Sequence, residues 1–300
     1  MGIRAIILTI VLLVCGGQAH GQLKTNVYAG GVNGIEAMLN PRNSHRYRNM
    51  NGGLHIHNNA WGELEENQKR ELLQTFEGKP TAMEIGFVRK NDPTDKRHPD
   101  TWYANAKDYY KPYGIKPDFV QCCCFKDGYV PTYQEWQEFH DRYTQIMRGS
   151  MLFPVFEYQN YNLSQQLSNN RISLNNNFQR LIGISRGLVV DAPPSVFLER
   201  ENAYREWVID AFRYAKQRGY TSVLIISPDR SADRFKLDTI YMINILDQSN
   251  ALPNAYVVEN YIFDWQWQKS HHRSYPNKIG RESETYSILG LAKYLKLHLK

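Results

Sequence analysis

The chain has 300 residues, a net charge of +6 and 42% hydrophobic residues, enough apolar content for one large core and too few charges of one sign for a disordered polymer. Its basic residues are interspersed with acidic ones, and no compact Lys/Arg stripe or base-reading motif is present, which excludes a nucleic-acid binder. No internal repeat and no linker divides it.

The first residues read as a secretory signal peptide over residues 1–21. Arg4 supplies the basic start, Ala5 to Val14 the apolar stretch, and Ala19 and Gly21 the small residues before a cut at Gln22. The apolar stretch falls short of the roughly 17 residues needed to span a bilayer, so no membrane attachment is expected after cleavage. The expected location is secreted or periplasmic. Residues 22–300 then form a single domain.

In chain order, strands are predicted near Thr25 to Ala29, Leu54 to Asn58, Ala82 to Val88, Phe119 to Phe125, Met151 to Glu157, Gly187 to Asp191, Ser222 to Ile226 and Ala255 to Glu259. Helical patterns fall between most of them, over Glu65 to Phe76, Thr101 to Tyr110, Tyr133 to Met147, Phe178 to Ile182, Arg200 to Arg218 and Arg234 to Leu246. A last helix runs from Ser283 to Leu299. The clearest is Arg200 to Arg218, where Tyr204, Trp207, Val208, Ala211, Phe212 and Ala215 recur at helical spacing before Gly219. Eight strands alternating with helices imply right-handed parallel crossovers closing into a (β/α)8 TIM barrel of the α/β class. No glycine-rich phosphate loop follows the first strands, which disfavours a dinucleotide-binding sheet.

Four of these strands end in a carboxylate: Glu84, Glu157, Asp191 and Glu259. In a barrel of parallel strands such residues converge on one mouth, where catalytic groups lie, and these four are the candidate catalytic residues. Each on its own also suits a helix cap or an ion pair with a nearby Arg. Asp229, in Ser227-Pro228-Asp229-Arg230-Ser231, reads as turn chemistry.

His55 and His57, at spacing i, i+2 on one strand, share a face. They suit hydrogen bonds to sugar hydroxyls, and with Glu84 and Asp191 they also suit a divalent metal. Trp61, Tyr158, Tyr261, Trp265 and Trp267 follow strand ends, where flat rings can cover the apolar faces of pyranoses. Arg42, His45, Arg46, Tyr47 and Arg48 are read as a long loop after the first strand, and His271, His272 and Arg273 as part of the loop after the last. If those loops meet, Arg46 and Arg273 belong to a basic rim suited to an anionic polysaccharide. Cys122, Cys123 and Cys124 remain after signal removal; their adjacency prevents a long-range disulfide framework, and they read as a buried strand with Cys122 and Cys124 on one face.

The strand-end acids give the chain a resemblance to the (β/α)8-barrel glycoside hydrolases, in architecture and not in motif. In the largest clan of that group the acid and the nucleophile end strands four and seven. Glu157 and Glu259 keep that three-strand offset and occupy those strands if counting starts at Leu54. The resemblance implies a secreted glycosidase acting on an oligosaccharide or polysaccharide through Glu157 and Glu259, with no cofactor and no metal. Two other readings stay open: a metal-dependent barrel hydrolase built on His55, His57, Glu84 and Asp191, and a carbohydrate-binding barrel without catalysis.

Overall fold

The computed structural model of the chain describes residues 23–30, 41–50, 52–57, 61, 64–85, 111–122, 131–156, 176–199, 202–227, 232–259 and 288–298. Its strands are β1 (Val27–Gly30), β2 (Gly53–Ile56), β3 (Thr81–Ile85), β4 (Phe119–Cys122), β5 (Met151–Phe156), β6 (Gly187–Asp191), β7 (Thr221–Ile226) and β8 (Ala255–Glu259). Every pair is parallel, and β8 pairs with β1, so the sheet closes into an eight-stranded barrel in chain order. This is the expected TIM barrel, and all eight expected strands are present.

The helices are α1 (Pro41–Asn49), α2 (Glu66–Thr75), α3 (Tyr133–Ile146), α4 (Asn176–Ser185), α5 (Pro194–Glu199), α6 (Asn202–Arg218), α7 (Ala232–Gln248) and α8 (Ile288–His298). Local chemistry explains where several begin and end. Thr132 caps α3 by accepting from the Glu135 amide at 3.2 Å, while the Glu135 carboxylate accepts from the Thr132 amide at 2.7 Å. Past the end of α6, Gly219 takes a φ of +66°, the left-handed geometry that stops a helix at small cost.

Two helices were not expected. The segment read as a loop around Arg42 to Arg48 is α1, and α5 follows β6. Both start at a proline, whose fixed φ suits a first helical position, but α1 offers only Tyr47 as a large apolar residue, so no apolar stripe announced it. The expected helix at residues 101–110 and the signal segment lie outside the described residues. Among the described residues no helix is long and apolar enough to cross a membrane.

Alternation along each strand sorts side chains into two compartments. The odd set on β1, Val27 and Ala29, joins Leu54, Ile56, Met83, Ile85, Val120, Leu152, Phe156, Leu188, Val190, Leu224, Ile226, Tyr256 and Val258 in the core between sheet and helices. The other set fills the barrel: Tyr28, Ala82, Phe119, Phe153, Val155, Val189, Val223, Ile225, Ala255 and Val257. Inside, the Tyr28 and Phe119 rings meet edge-on at 5.2 Å, and Phe119 lies 5.6 Å from Phe153. Gly53 and Gly187 make room for these rings, since a Cβ would meet Tyr28 at 2.4 Å and Phe153 at 2.3 Å respectively.

Cys122 belongs to the outer core, as expected of a buried strand residue, but it is also disulfide-bonded. The expected burial of Cys122 holds, and its disulfide is a feature that the sequence reading did not include. Cys123 and Cys124 lie outside the described residues.

Candidate active site

Above the apolar filling, the same inward-facing positions turn polar toward the carboxyl ends of the strands. Continuing the alternation, Gly53 leads to His55 and His57, Ala82 to Glu84, Phe119 to Gln121, Val189 to Asp191, Ile225 to Ser227, and Val257 to Glu259. His55, His57, Glu84, Gln121, Ser227 and Glu259 are all buried, and Asp191 is partly exposed. Burying a polar group without a partner costs on the order of 1–3 kcal/mol, so a buried polar layer demands internal pairing.

Much of that pairing crosses strands. Gln121 Nε2 donates to Glu84 Oε2 at 3.0 Å, on neighbouring strands where Glu84 and Gln121 are in register. His57 Nε2 lies 3.1 Å from Glu84 Oε1. Ser227 Oγ donates to Glu259 Oε1 at 3.1 Å. His55 Nδ1 lies 3.4 Å from Glu259 Oε2, close enough for an ion pair, yet neither ring nitrogen of His55 makes a hydrogen bond. Geometry thus brings the two together without satisfying the imidazole.

Complete burial holds His55 far below the usual histidine range, at about 3; the Glu84 charge opposes this in part and His57 adds to it. Its imidazole is therefore neutral near pH 7, and the contact with Glu259 is not an ion pair there. One nitrogen of His55 and one carboxylate oxygen each of Glu84 and Glu259 lie within 4.8 Å of one another.

Of the residues expected to act on substrate, the structure unites Glu84, Glu259, His55 and His57. Asp191 ends β6 on the inward face but is not part of the converging trio. The metal set expected from sequence is thereby altered, with Glu259 in the trio in place of His57 and Asp191. Trp61 is only 1% exposed, with its ring edge-on to Tyr113 at 5.2 Å and Lys69 over it at 5.8 Å, so it packs in the core and offers no open face to a sugar. Glu157, Tyr158, Tyr261, Trp265, Trp267 and Arg273 lie outside the described residues.

The basic rim is also corrected where it is visible. Arg46 and Arg48 sit in the last turn of α1, which leads down to the start of β2. Arg48 Nε donates to the carbonyl of Thr75, the last residue of α2, just before β3 begins. Cations suit a helix carboxyl end, and this one lies at the end of the barrel opposite the strand-end carboxylates. The side chain of Arg42 is outside the described set.

Sequence reasoning missed Gln121 and Ser227. Gln121 interrupts the apolar run Phe119-Val120-Gln121-Cys122 at an inward position, a signal obscured by the cysteines beside it. Ser227 follows the apolar run of β7 where other strands carry a carboxylate, but the Pro228-Asp229 that follows gives it the look of turn chemistry.

No protein-family model matches the chain, and no curated protein does either. Solved structures similar to it include a GH99 endo-alpha-mannosidase from Bacteroides thetaiotaomicron, 14% identical over 77% of this chain and 68% of that one, with a TM-score of 0.47. Orotidine 5'-phosphate decarboxylase from Lactobacillus acidophilus is 13% identical over 78% and 89%, with a TM-score of 0.43. A putative deoxyribose-phosphate aldolase from Toxoplasma gondii is 9% identical over 79% and 88%, with a TM-score of 0.45. A barrel hosts many reactions, so function has to be argued from the site.

Proposed function

We propose that this chain is a secreted enzyme that hydrolyses glycosidic bonds in an oligosaccharide or polysaccharide, using carboxylates at the carboxyl ends of the barrel strands. The observation that supports this reading is the convergence of Glu84 and Glu259, two buried acids from β3 and β8, each oriented by a neutral hydrogen-bond donor. Glycoside hydrolysis needs one carboxyl to protonate the leaving oxygen and a second carboxylate to serve the nucleophile, either by attack or by activating water. Glu259 takes the nucleophile side, with Ser227 fixing its orientation and Glu84 beside it in the same polar layer. Glu157, one residue beyond β5, takes the acid role on its three-strand offset from Glu259.

Apolar contact with the sugar falls in this reading to Tyr158, Tyr261, Trp265 and Trp267, since Trp61 is committed to the core. The decisive test is product analysis on a panel of plant and bacterial glycans, neutral and acidic, with the wild type and with Glu157→Gln and Glu259→Gln. New reducing ends from the wild type and none from either variant are expected. Failure to cleave any glycan of the panel, or full activity in both variants, would overturn the proposal.

A further inference from the structure

The two carboxylates account for only part of the polar layer; the imidazole between them is the group that calls for another partner. His55 is 0% exposed, and neither of its ring nitrogens makes a hydrogen bond. A neutral imidazole carries one N–H and one lone pair, and both are buried without a hydrogen bond, Nδ1 having only its 3.4 Å contact with Glu259 Oε2. Such an orphan demands a physical reason, because leaving it so destabilises the fold.

We propose that His55, Glu84 and Glu259 bind a divalent cation of the zinc class, one imidazole nitrogen and one oxygen from each carboxylate serving as ligands. Three atoms within 4.8 Å of one another always have a point no more than about 2.8 Å from all three, so a small inward movement brings each to a bonding distance of roughly 2.0–2.2 Å. One imidazole with two carboxylates suits zinc or manganese, whereas calcium and magnesium take oxygen ligands almost exclusively.

The surroundings have the form of a metal site's supporting layer. Gln121 donates to Oε2 of Glu84 and Ser227 to Oε1 of Glu259, so each carboxylate is oriented by a group other than its companions in the trio. The ligands come from β2, β3 and β8, rigid elements of one closed sheet. Three protein ligands leave coordination positions open for water or a sugar hydroxyl, as in catalytic zinc sites. Ion binding stands independently of the glycosidase reading; where both hold, Glu259 serves the nucleophile through the ion.

The test is calorimetric titration of the full chain, made without a polyhistidine tag and cleared of metal by EDTA and dialysis, with zinc chloride and then manganese chloride. The wild type should bind one equivalent of zinc and melt at a higher temperature with it. His55→Gln, Glu84→Gln and Glu259→Gln should each weaken zinc binding by about 100-fold or more, while His45→Gln on the exposed surface of α1 should leave it unchanged. Circular dichroism of each variant without metal establishes folding, and a variant that does not fold is replaced by the visible absorption of the cobalt-loaded wild type, expected to report mixed nitrogen and oxygen ligands. A wild type that takes up no equivalent of zinc overturns the site whatever the variants do, as does a folded His55→Gln protein with unchanged affinity. Glycan cleavage that survives EDTA in a protein that binds no zinc would overturn the cation and leave the hydrolase standing. Tight zinc binding without cleavage of any glycan would do the reverse.

Discussion

His55 and Glu259 reach one another across a glycine. Gly30 on β1 is in register with His55 on one side and with Glu259 on the other, and Nδ1 of the histidine lies 3.4 Å from Oε2 of the glutamate. Tyr28, two residues earlier, points into the barrel, so position 30 faces the same interior. A side chain there would stand between the two groups.

Gly30→Ala should therefore lower turnover by about 100-fold while the protein stays folded, because displacements near 1 Å at a reacting centre have effects of that size. Kinetics on an identified substrate, alongside thermal melts, check this. Unchanged turnover would show that the gap over Gly30 has no part in aligning the site.

Glu259→Gln keeps shape but removes the ionisable group, and should reduce the rate by about 100- to 10,000-fold, the usual contribution of a catalytic acid or base. Ser227→Ala removes one hydrogen bond worth about 1 kcal/mol and should cost roughly tenfold or less. A larger loss from the serine than from the glutamate would contradict the roles assigned to them.

Histidine burial has a consequence for acid stability. Unfolded, His55 gains a proton near its ordinary value of 6.5, whereas folded it resists protonation down to about 3. Between those values the unfolded chain binds more protons, so stability falls as pH drops, by at most about 1.4 kcal/mol per pH unit from this group. Urea denaturation of metal-free protein from pH 7 to 4 should give a shallower dependence for His55→Gln than for wild type. Identical slopes would mean that the imidazole is not held neutral.

Gly53→Ala and Gly187→Ala place a methyl group against the Tyr28 and Phe153 rings, and also within 2.9 Å of the Pro80 carbonyl and 2.7 Å of the Thr221 carbonyl. Neither backbone oxygen can move aside freely. Each change should destabilise by about 1–3 kcal/mol, read from the denaturant midpoint. Wild-type midpoints would show that the rings in the barrel can shift at no cost.

Arg46→Ala and Arg48→Ala should leave substrate affinity and its salt dependence unchanged, because the last turn of α1 lies at the amino ends of the strands. An anionic polymer that binds less well to these variants at low salt, where the Debye length grows to about 30 Å at 0.01 M, would restore a role for this cluster.

Periodicity made the barrel legible. Apolar runs such as Leu188-Val189-Val190 and Val223-Leu224-Ile225-Ile226 are buried on both faces, a property of strands covered by helices on one side and by other strands' side chains on the other. The terminal acids Glu84 and Glu259 were legible for the same reason, since a charge at the end of a buried run has only the mouth to face. Local sequence failed at α1, where a proline start and a polar composition hid a helix.

The sequence alone determined the order of eight strands, the positions of their terminal carboxylates and the sharing of one face by His55 and His57, because period-two alternation is a local property of the chain. Tertiary closure decided which of those groups meet. Pairing β8 with β1 brings Glu259 beside His55 and Glu84, and the strand registers set Gln121 and Ser227 against the two carboxylates. Register and closure depend on how all eight strands pack around the Tyr28, Phe119 and Phe153 rings, and no single stretch of sequence contains that information.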